Sequence, residues 1–125
     1  MRAVRLFHFV LAVLMLIFMF VQINDPDGWQ WFVIYAVPMI WASLAAFRPQ
    51  ALRHIVSRIL LAISILLATI LAVFYWPRTD AWWTRDIWWE VESVREGMGM
   101  MIVLLVLVSV SLCRLAVARV GKGGR

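Results

Sequence analysis

Four stretches of this chain are too apolar to rest in water. Residues 6–23, 29–47 and 98–113 carry no Asp, Glu, Lys or Arg, and residues 55–76 carry one, Arg58. At a rise of 1.5 Å per residue, about 20 residues cross a hydrocarbon core of about 30 Å, so each stretch comes near a membrane span once its flanks are included. Backbone N–H and C=O groups find no water in hydrocarbon, which leaves α-helices or a closed barrel. A barrel needs short strands of alternating character, and none of these stretches alternates. The expected fold is all-α, a bundle of four transmembrane helices forming one membrane domain over residues 1–125. With 65% of its 125 residues hydrophobic and a mean hydropathy of +0.90, the chain has no room for a water-soluble catalytic domain. A single cysteine, Cys113, excludes an internal disulfide or a cysteine-based zinc framework.

Arg2 and Arg5 before the first apolar run resemble the start of a secretory signal. That run is longer than a usual signal core and ends in Phe20-Val21-Gln22, which offers no small-residue cleavage site. The expectation is a retained first helix.

Charge fixes the orientation. Arg2, Arg5, Arg48, Arg53, Arg58, Arg114, Arg119, Lys122 and Arg125 flank the spans on one side, nine of the twelve cations. The other side holds Arg78, Arg85 and Arg95 with all seven carboxylates: Asp25, Asp27, Asp80, Asp86, Glu90, Glu92 and Glu96. An excess of Lys and Arg in short loops marks the cytoplasmic side, so both termini are expected there. The net charge of +5 then reflects membrane orientation and calls for no nucleic-acid partner. Trp29, Trp31, Trp76, Trp82, Trp83, Trp88 and Trp89 all fall near the acidic boundary, where indoles settle at headgroup depth. Within the acidic loop, Trp83, Ile87, Val91, Val94 and Met98 recur at spacings of four and three. That period predicts an amphipathic interfacial helix over 81–96, leading into the fourth span. The basic tail, 114–125, is expected to be disordered.

Two polar clusters could carry chemistry. The first follows helix one: Gln22, Asn24, Asp25, Pro26, Asp27 and Gly28. A residue before proline leaves the right-handed helical region, so helix one ends by Asp25. Asp25 could then cap helix two, with Pro26 in its first position and Asp27 complementing the positive helix end. A tight connection accounts for Asp25, Pro26 and Gly28 without any ligand, but leaves the Gln22 and Asn24 amides in want of partners. The second cluster, Glu92, Arg95, Glu96 and Gly99, opens the fourth span. Glu92 and Glu96 stand four apart on one helical face and repel, with Arg95 between them. A solvated helix start explains it, as does a group turned inward to meet the first cluster at the same depth.

Other candidates are weaker. His8 and His54 lie on the basic side, away from every carboxylate, so no histidine–carboxylate zinc site is assembled, and His8 reads as an interfacial residue. Pro38 frees the Ile34 carbonyl and favours a kink, with Tyr35 one position away from that carbonyl. Ser64, Ala68 and Ala72 make a small-residue stripe for a close helix contact.

The pattern Gln22-x-Asn24-Asp25-Pro26-Asp27, followed by Trp29 or Trp31, Tyr35 and Pro38, resembles the transmembrane protein 220 family. Glu92-x-x-Arg95-Glu96-x-x-Gly99 is also similar to that family's pattern at a later helix. The resemblance covers roughly residues 5–112 and implies a small multi-pass membrane protein with no established reaction. Some eukaryotic relatives extend beyond the fourth helix, and the compactness of this chain suggests a bacterial inner membrane with the acidic side in the periplasm.

These residues lead to one principal expectation. The protein is non-enzymatic, sits in the lipid bilayer, and uses Gln22, Asn24, Asp25, Asp27, Tyr35, Glu92, Arg95 and Glu96 to bind a cation, a lipid headgroup or a membrane-protein partner. No organic cofactor is expected. If a divalent cation is held, Asp25, Asp27, Glu92 and Glu96 supply the oxygens that hard cations prefer. Two alternatives stand beside it: a membrane enzyme acting on lipid headgroups with Asp25 or Glu92 as general base, or a small transporter or channel subunit working as a homo-oligomer.

Overall fold

A computed structural model of the chain describes residues 2–78 and 80–123, apart from the side chains of 88–90. Expectations for the side chains of Trp88, Trp89 and Glu90, and for Arg125, lie outside the described residues. Among those described, no strand forms. The elements are α1 (Arg2–Val21), α2 (Gly28–Phe47), α3 (Ile55–Phe74), a short α4 (Arg85–Glu90) and a long α5 (Glu92–Gly123), with 3₁₀ turns at Gln22–Asn24 and Pro49–Arg53. Four of these helices, α1, α2, α3 and α5, are long and apolar enough to cross a membrane. Their outward faces agree: Leu6, Val10, Ile17 and Phe20 on α1, and Ile59, Ile63, Leu66, Ile70 and Val73 on α3, are exposed as a lipid-facing surface is.

α1 packs along α2, and α5 packs against both α2 and α3. The core sits between them. Met15 and Met19 come from α1, Trp31, Tyr35, Trp41 and Ala42 from α2, and Ala68 and Ala72 from α3. From α5, Met100, Val103, Leu107, Val110, Cys113 and Val117 recur every three or four residues, the period that keeps one helical face turned inward. The predicted stripe on α3 is buried at Ala68 and Ala72, while Ser64 accepts the Trp41 indole N–H at 3.1 Å and donates to the Leu60 carbonyl at 2.8 Å. α2 runs unbroken through the buried Pro38.

Four boundaries differ from the sequence expectation. The fourth span begins at Glu92 and runs 32 residues, about 48 Å, so both of its ends extend beyond a core of about 30 Å. Glu92 in its first turn and Lys122 in its last match the helix dipole, and the buried Val117 anchors the tail residues expected to be disordered. The segment 81–96 is two pieces. Residues 81–84 form a turn, and extended Val91 (φ −99°, ψ 109°) separates α4 from α5 while its carbonyl accepts from the N–H groups of Val94 and Arg95. α2 starts at Gly28 with Asp27 in the capping position, two residues later than an Asp25 cap would place it. Pro26 follows extended Asp25 (φ −86°, ψ 147°), and the Asp25 carbonyl accepts the Gly28 N–H at 3.0 Å, so a backbone turn uses up the two extra residues.

His8 also departs from expectation. It is 2% exposed, its Nδ1 lies 2.8 Å from the Val4 carbonyl and its Nε2 3.1 Å from Ser109 Oγ. A proton on Nδ1 satisfies the carbonyl, and Nε2 then accepts the Ser109 hydroxyl, which ties α1 to α5. On the same side of the molecule Arg5 Nε donates to the Ala46 carbonyl at 2.7 Å, in the last turn of α2 where orphan carbonyls gather.

The α1–α2 connection is as tight as the backbone allows. A Cβ at Gly28 would overlap the Gln22 carbonyl oxygen, an atom already accepting the Asp25 N–H. Gly28→Ala should therefore lower stability in detergent by about 1–3 kcal/mol, the usual cost of overpacking. Gly123→Ala, where a Cβ meets nothing within 4 Å, should leave the melting temperature unchanged. Thermal unfolding followed by circular dichroism measures both.

Candidate functional site

The acidic end of the helices encloses a cavity of about 200 Å³. Its near wall is the α1–α2 connection: the Gln22 side chain comes from the 3₁₀ turn, with Asp25 and Asp27 from the bend that follows. Its far wall is the first turn of α5, with Glu92, Arg95 and Glu96. Trp31 and Tyr35, one helical turn apart on α2, form the floor. The two polar clusters, separated by some 65 residues of sequence, thus share one cavity.

Seven of the eight expected residues line it: Gln22, Asp25, Asp27, Tyr35, Glu92, Arg95 and Glu96. Asn24 does not. It is exposed at the end of the 3₁₀ turn, where the chain has already rotated away from Gln22. Among the described residues, Asp27, Glu92 and Glu96 group together, one carboxylate oxygen of each lying within 4.8 Å of the other two. Asp25 lines the cavity but stands outside this trio. Asp27 and Glu96 are half-buried and Glu92 is exposed. The Asp27 side chain makes no capping bond to α2, so its oxygens are not committed to the helix end.

Three like charges at such range repel, and a partly buried site screens them poorly. Two neighbours act against this at Glu96: the Trp31 indole N–H, a donor on the cavity floor, favours its charged form, and the Arg95 guanidinium supplies opposite charge. Trp31 is the residue that sequence reasoning misplaced. Assigned to the boundary belt, it is 4% exposed, with its ring centroid 5.9 Å from Tyr35 and 5.2 Å from Tyr75. Trp29, in contrast, is 75% exposed and suits the belt. The signal was present in the spacing. Trp31 and Tyr35 are four apart and share a helical face, whereas Trp29 and Trp31 are two apart and point to different ones.

Two glycines hold α5 close enough for this geometry. A Cβ at Gly99 would overlap the Tyr35 hydroxyl, and one at Gly97 would overlap the Tyr75 carbonyl and stand 2.8 Å from the Pro77 ring. Gly99, the last residue of the Glu-x-x-Arg-Glu-x-x-Gly pattern, therefore makes room for Tyr35.

Chemically, the arrangement offers an oxygen-rich, negatively biased mouth with an aromatic floor. Such a site suits a cation. Trp31→Phe removes a donor and trims a buried ring, and should cost about 1–3 kcal/mol. Trp29→Phe should change stability by less than about 0.5 kcal/mol. Chemical or thermal unfolding in detergent distinguishes the two.

A family model described as transmembrane family 220, helix, matches residues 14–113. Transmembrane protein 220 of the frog Xenopus laevis is 26% identical over 102 residues, which is 82% of this chain and 55% of the frog protein. The chain thus spans about half the length of that curated relative. No solved structure matches.

Proposed function

The chain belongs to transmembrane family 220, and from that premise we propose that it is a multi-pass, non-enzymatic membrane protein whose acidic mouth binds a divalent cation. One observation carries this reading: carboxylates from two distant turns, Asp27 on one side and Glu92 with Glu96 on the other, converge within 4.8 Å. Calcium accepts about six to eight oxygens in a flexible geometry, whereas magnesium demands a near-ideal octahedron and gives up its water reluctantly. Carboxylates gathered from two separate turns suit calcium better. Gln22 and Asp25 add oxygens on the near wall, and Arg95 limits the negative charge so that the apo state tolerates three acids.

In this mechanism the ion acts as a clasp. It joins the α1–α2 bend to the start of α5, two elements that α2 already holds side by side. A ligand that binds only the folded state stabilises it by RT ln(1 + [L]/Kd), about 2.7 kcal/mol at a hundredfold excess over Kd. Calcium should accordingly raise the melting temperature of the detergent-solubilised protein, and magnesium should do so less. Asp27→Asn combined with Glu92→Gln should abolish the calcium response. Arg95→Gln should increase it by removing a competing cation. A calcium response that persists in the double variant would overturn the assignment.

We further propose that both termini are cytoplasmic and that the acidic mouth faces away from the cytoplasm. Support comes from the segregation of charge: Arg5 and Arg53 share a cavity with the end of α5, while the acids surround the opposite one. The named relative is a frog protein, so family membership carries no bacterial address. The membrane proposed is one whose cytoplasmic face adjoins the arginine-rich ends. In a Cys113→Ala background, Asn24→Cys should react with an impermeant maleimide on intact cells, and Gly123→Cys only after permeabilisation. The reverse pattern would invert the topology.

A further inference from the structure

At the basic end of the helices lies a second cavity, of about 290 Å³, bounded by the start of α1, the Pro49–Arg53 turn and the last turns of α5. Arg5 and Arg53 both face it. Arg5 is held there by a helix end, and Arg53 by its Nη1, which donates to Gln50 Oε1 at 3.5 Å. Arg5 Nε donates to the Ala46 carbonyl at 2.7 Å near the end of α2. The Arg53 guanidinium occupies the space that Gly121 leaves near the end of α5, where a Cβ would stand 2.6 Å from Nη2. Helix C-termini carry partial negative charge and retain cations, and an arginine presents five N–H donors, so one anchoring contact does not exhaust it. The described carboxylates belong to the turn at 25–27 or to the segment 80–96, at the opposite end of the spans. Two positive groups therefore converge on one cavity with no acid of the described chain to balance them.

Apart from Gln50, the remaining walls are apolar. Val4, Val117, Val120 and Cys113 line the cavity, and Val117 and Cys113 lie on the membrane side of the Arg53–Gly121 contact, so this wall leads toward the hydrocarbon. Guanidinium pairs match phosphate oxygens in a forked geometry, and basic pockets between membrane helices bind anionic headgroups. A soluble phosphate would use the arginines and leave the valine wall without purpose. A phospholipid uses both. We infer that this cavity is a binding site for an anionic phospholipid, with its phosphate held between Arg5 and Arg53 and its acyl chain running past Val117 and Cys113 toward the hydrocarbon. The site is independent of the acidic mouth and would stand or fall separately from calcium binding.

The test uses the full chain in a neutral detergent. Phosphatidylglycerol, phosphatidylcholine and inorganic phosphate are titrated separately while thermal unfolding is followed, and native mass spectrometry counts retained lipid. Phosphatidylglycerol is expected to raise the melting temperature and to remain bound as a single adduct, with phosphatidylcholine at least ten-fold weaker. Arg53→Gln removes an exposed side chain, keeps the Arg5 anchor and should weaken phosphatidylglycerol binding at least ten-fold. Gly121→Leu, which pushes the guanidinium aside, should weaken it similarly, and Arg119→Gln should not. Equal responses to both lipids would overturn the phosphate contact, and a full response to inorganic phosphate would overturn the lipid as ligand. An unchanged phosphatidylglycerol response in Arg53→Gln, or no response to any of the three, would overturn the site.

Discussion

The acidic end of α5 lies against α2 and the end of α3 because Gly97 and Gly99 present no side chains there: the Tyr75 carbonyl and the Pro77 ring take the first space, the Tyr35 hydroxyl the second. From this approach the acidic mouth follows. Glu96 precedes Gly97 directly and Glu92 lies one turn earlier, so seating the glycines brings both carboxylates over the α1–α2 bend, where Asp27 meets them. Trp31 completes the contact from below, with its ring among Tyr35 and Tyr75. Small residues that admit close backbone approach are the general means of helix association where lipid removes the hydrophobic drive between helices.

Elsewhere in the spans, cohesion comes from packing and a few polar contacts. Trp41 with Ser64 joins α2 to α3, and His8 with Ser109 joins α1 to α5. Interhelical hydrogen bonds of this kind contribute about 0.6–2 kcal/mol each, so the shape of the α5 stripe, from Met100 to Val117, matters more than any single bond. The two ends of the molecule are built by opposite electrostatic means. At the basic end Arg5 rests on the Ala46 carbonyl in the last turn of α2, and Arg53 donates to Gln50. At the acidic end three carboxylates crowd together and are moderated by an arginine and an indole.

Much of the site was legible before the fold was known, because the bilayer imposes depth. Gln22, Asp25 and Asp27 end one span, and Glu92, Arg95 and Glu96 begin another, so all stand at one level of the membrane. Depth does not give angle. Asn24 shares that level and points out of the cavity, and Trp31 shares it and points in. His8 shows the same limit at the other end. Its depth suited an interfacial residue, but its face turns to Ser109, about a hundred positions away. Helix ends were blurred for a related reason. Beyond the hydrocarbon, a helix continues as long as its capping, charge and packing allow, and hydropathy does not register those.

Hydropathy and charge order establish that the chain is a multi-pass membrane protein and which ends carry which charge, since hydrocarbon penalises unpaired backbone and buried charge whatever the neighbours are. Which faces meet is a matter of packing: that α5 lies against both α2 and α3, that Asp27 joins Glu92 and Glu96, and that Arg5 and Arg53 line one cavity. Those pairings depend on the rotation and closeness of helices far apart in sequence, which contacts such as Gly99 against Tyr35 set. A linear pattern contains no measure of either.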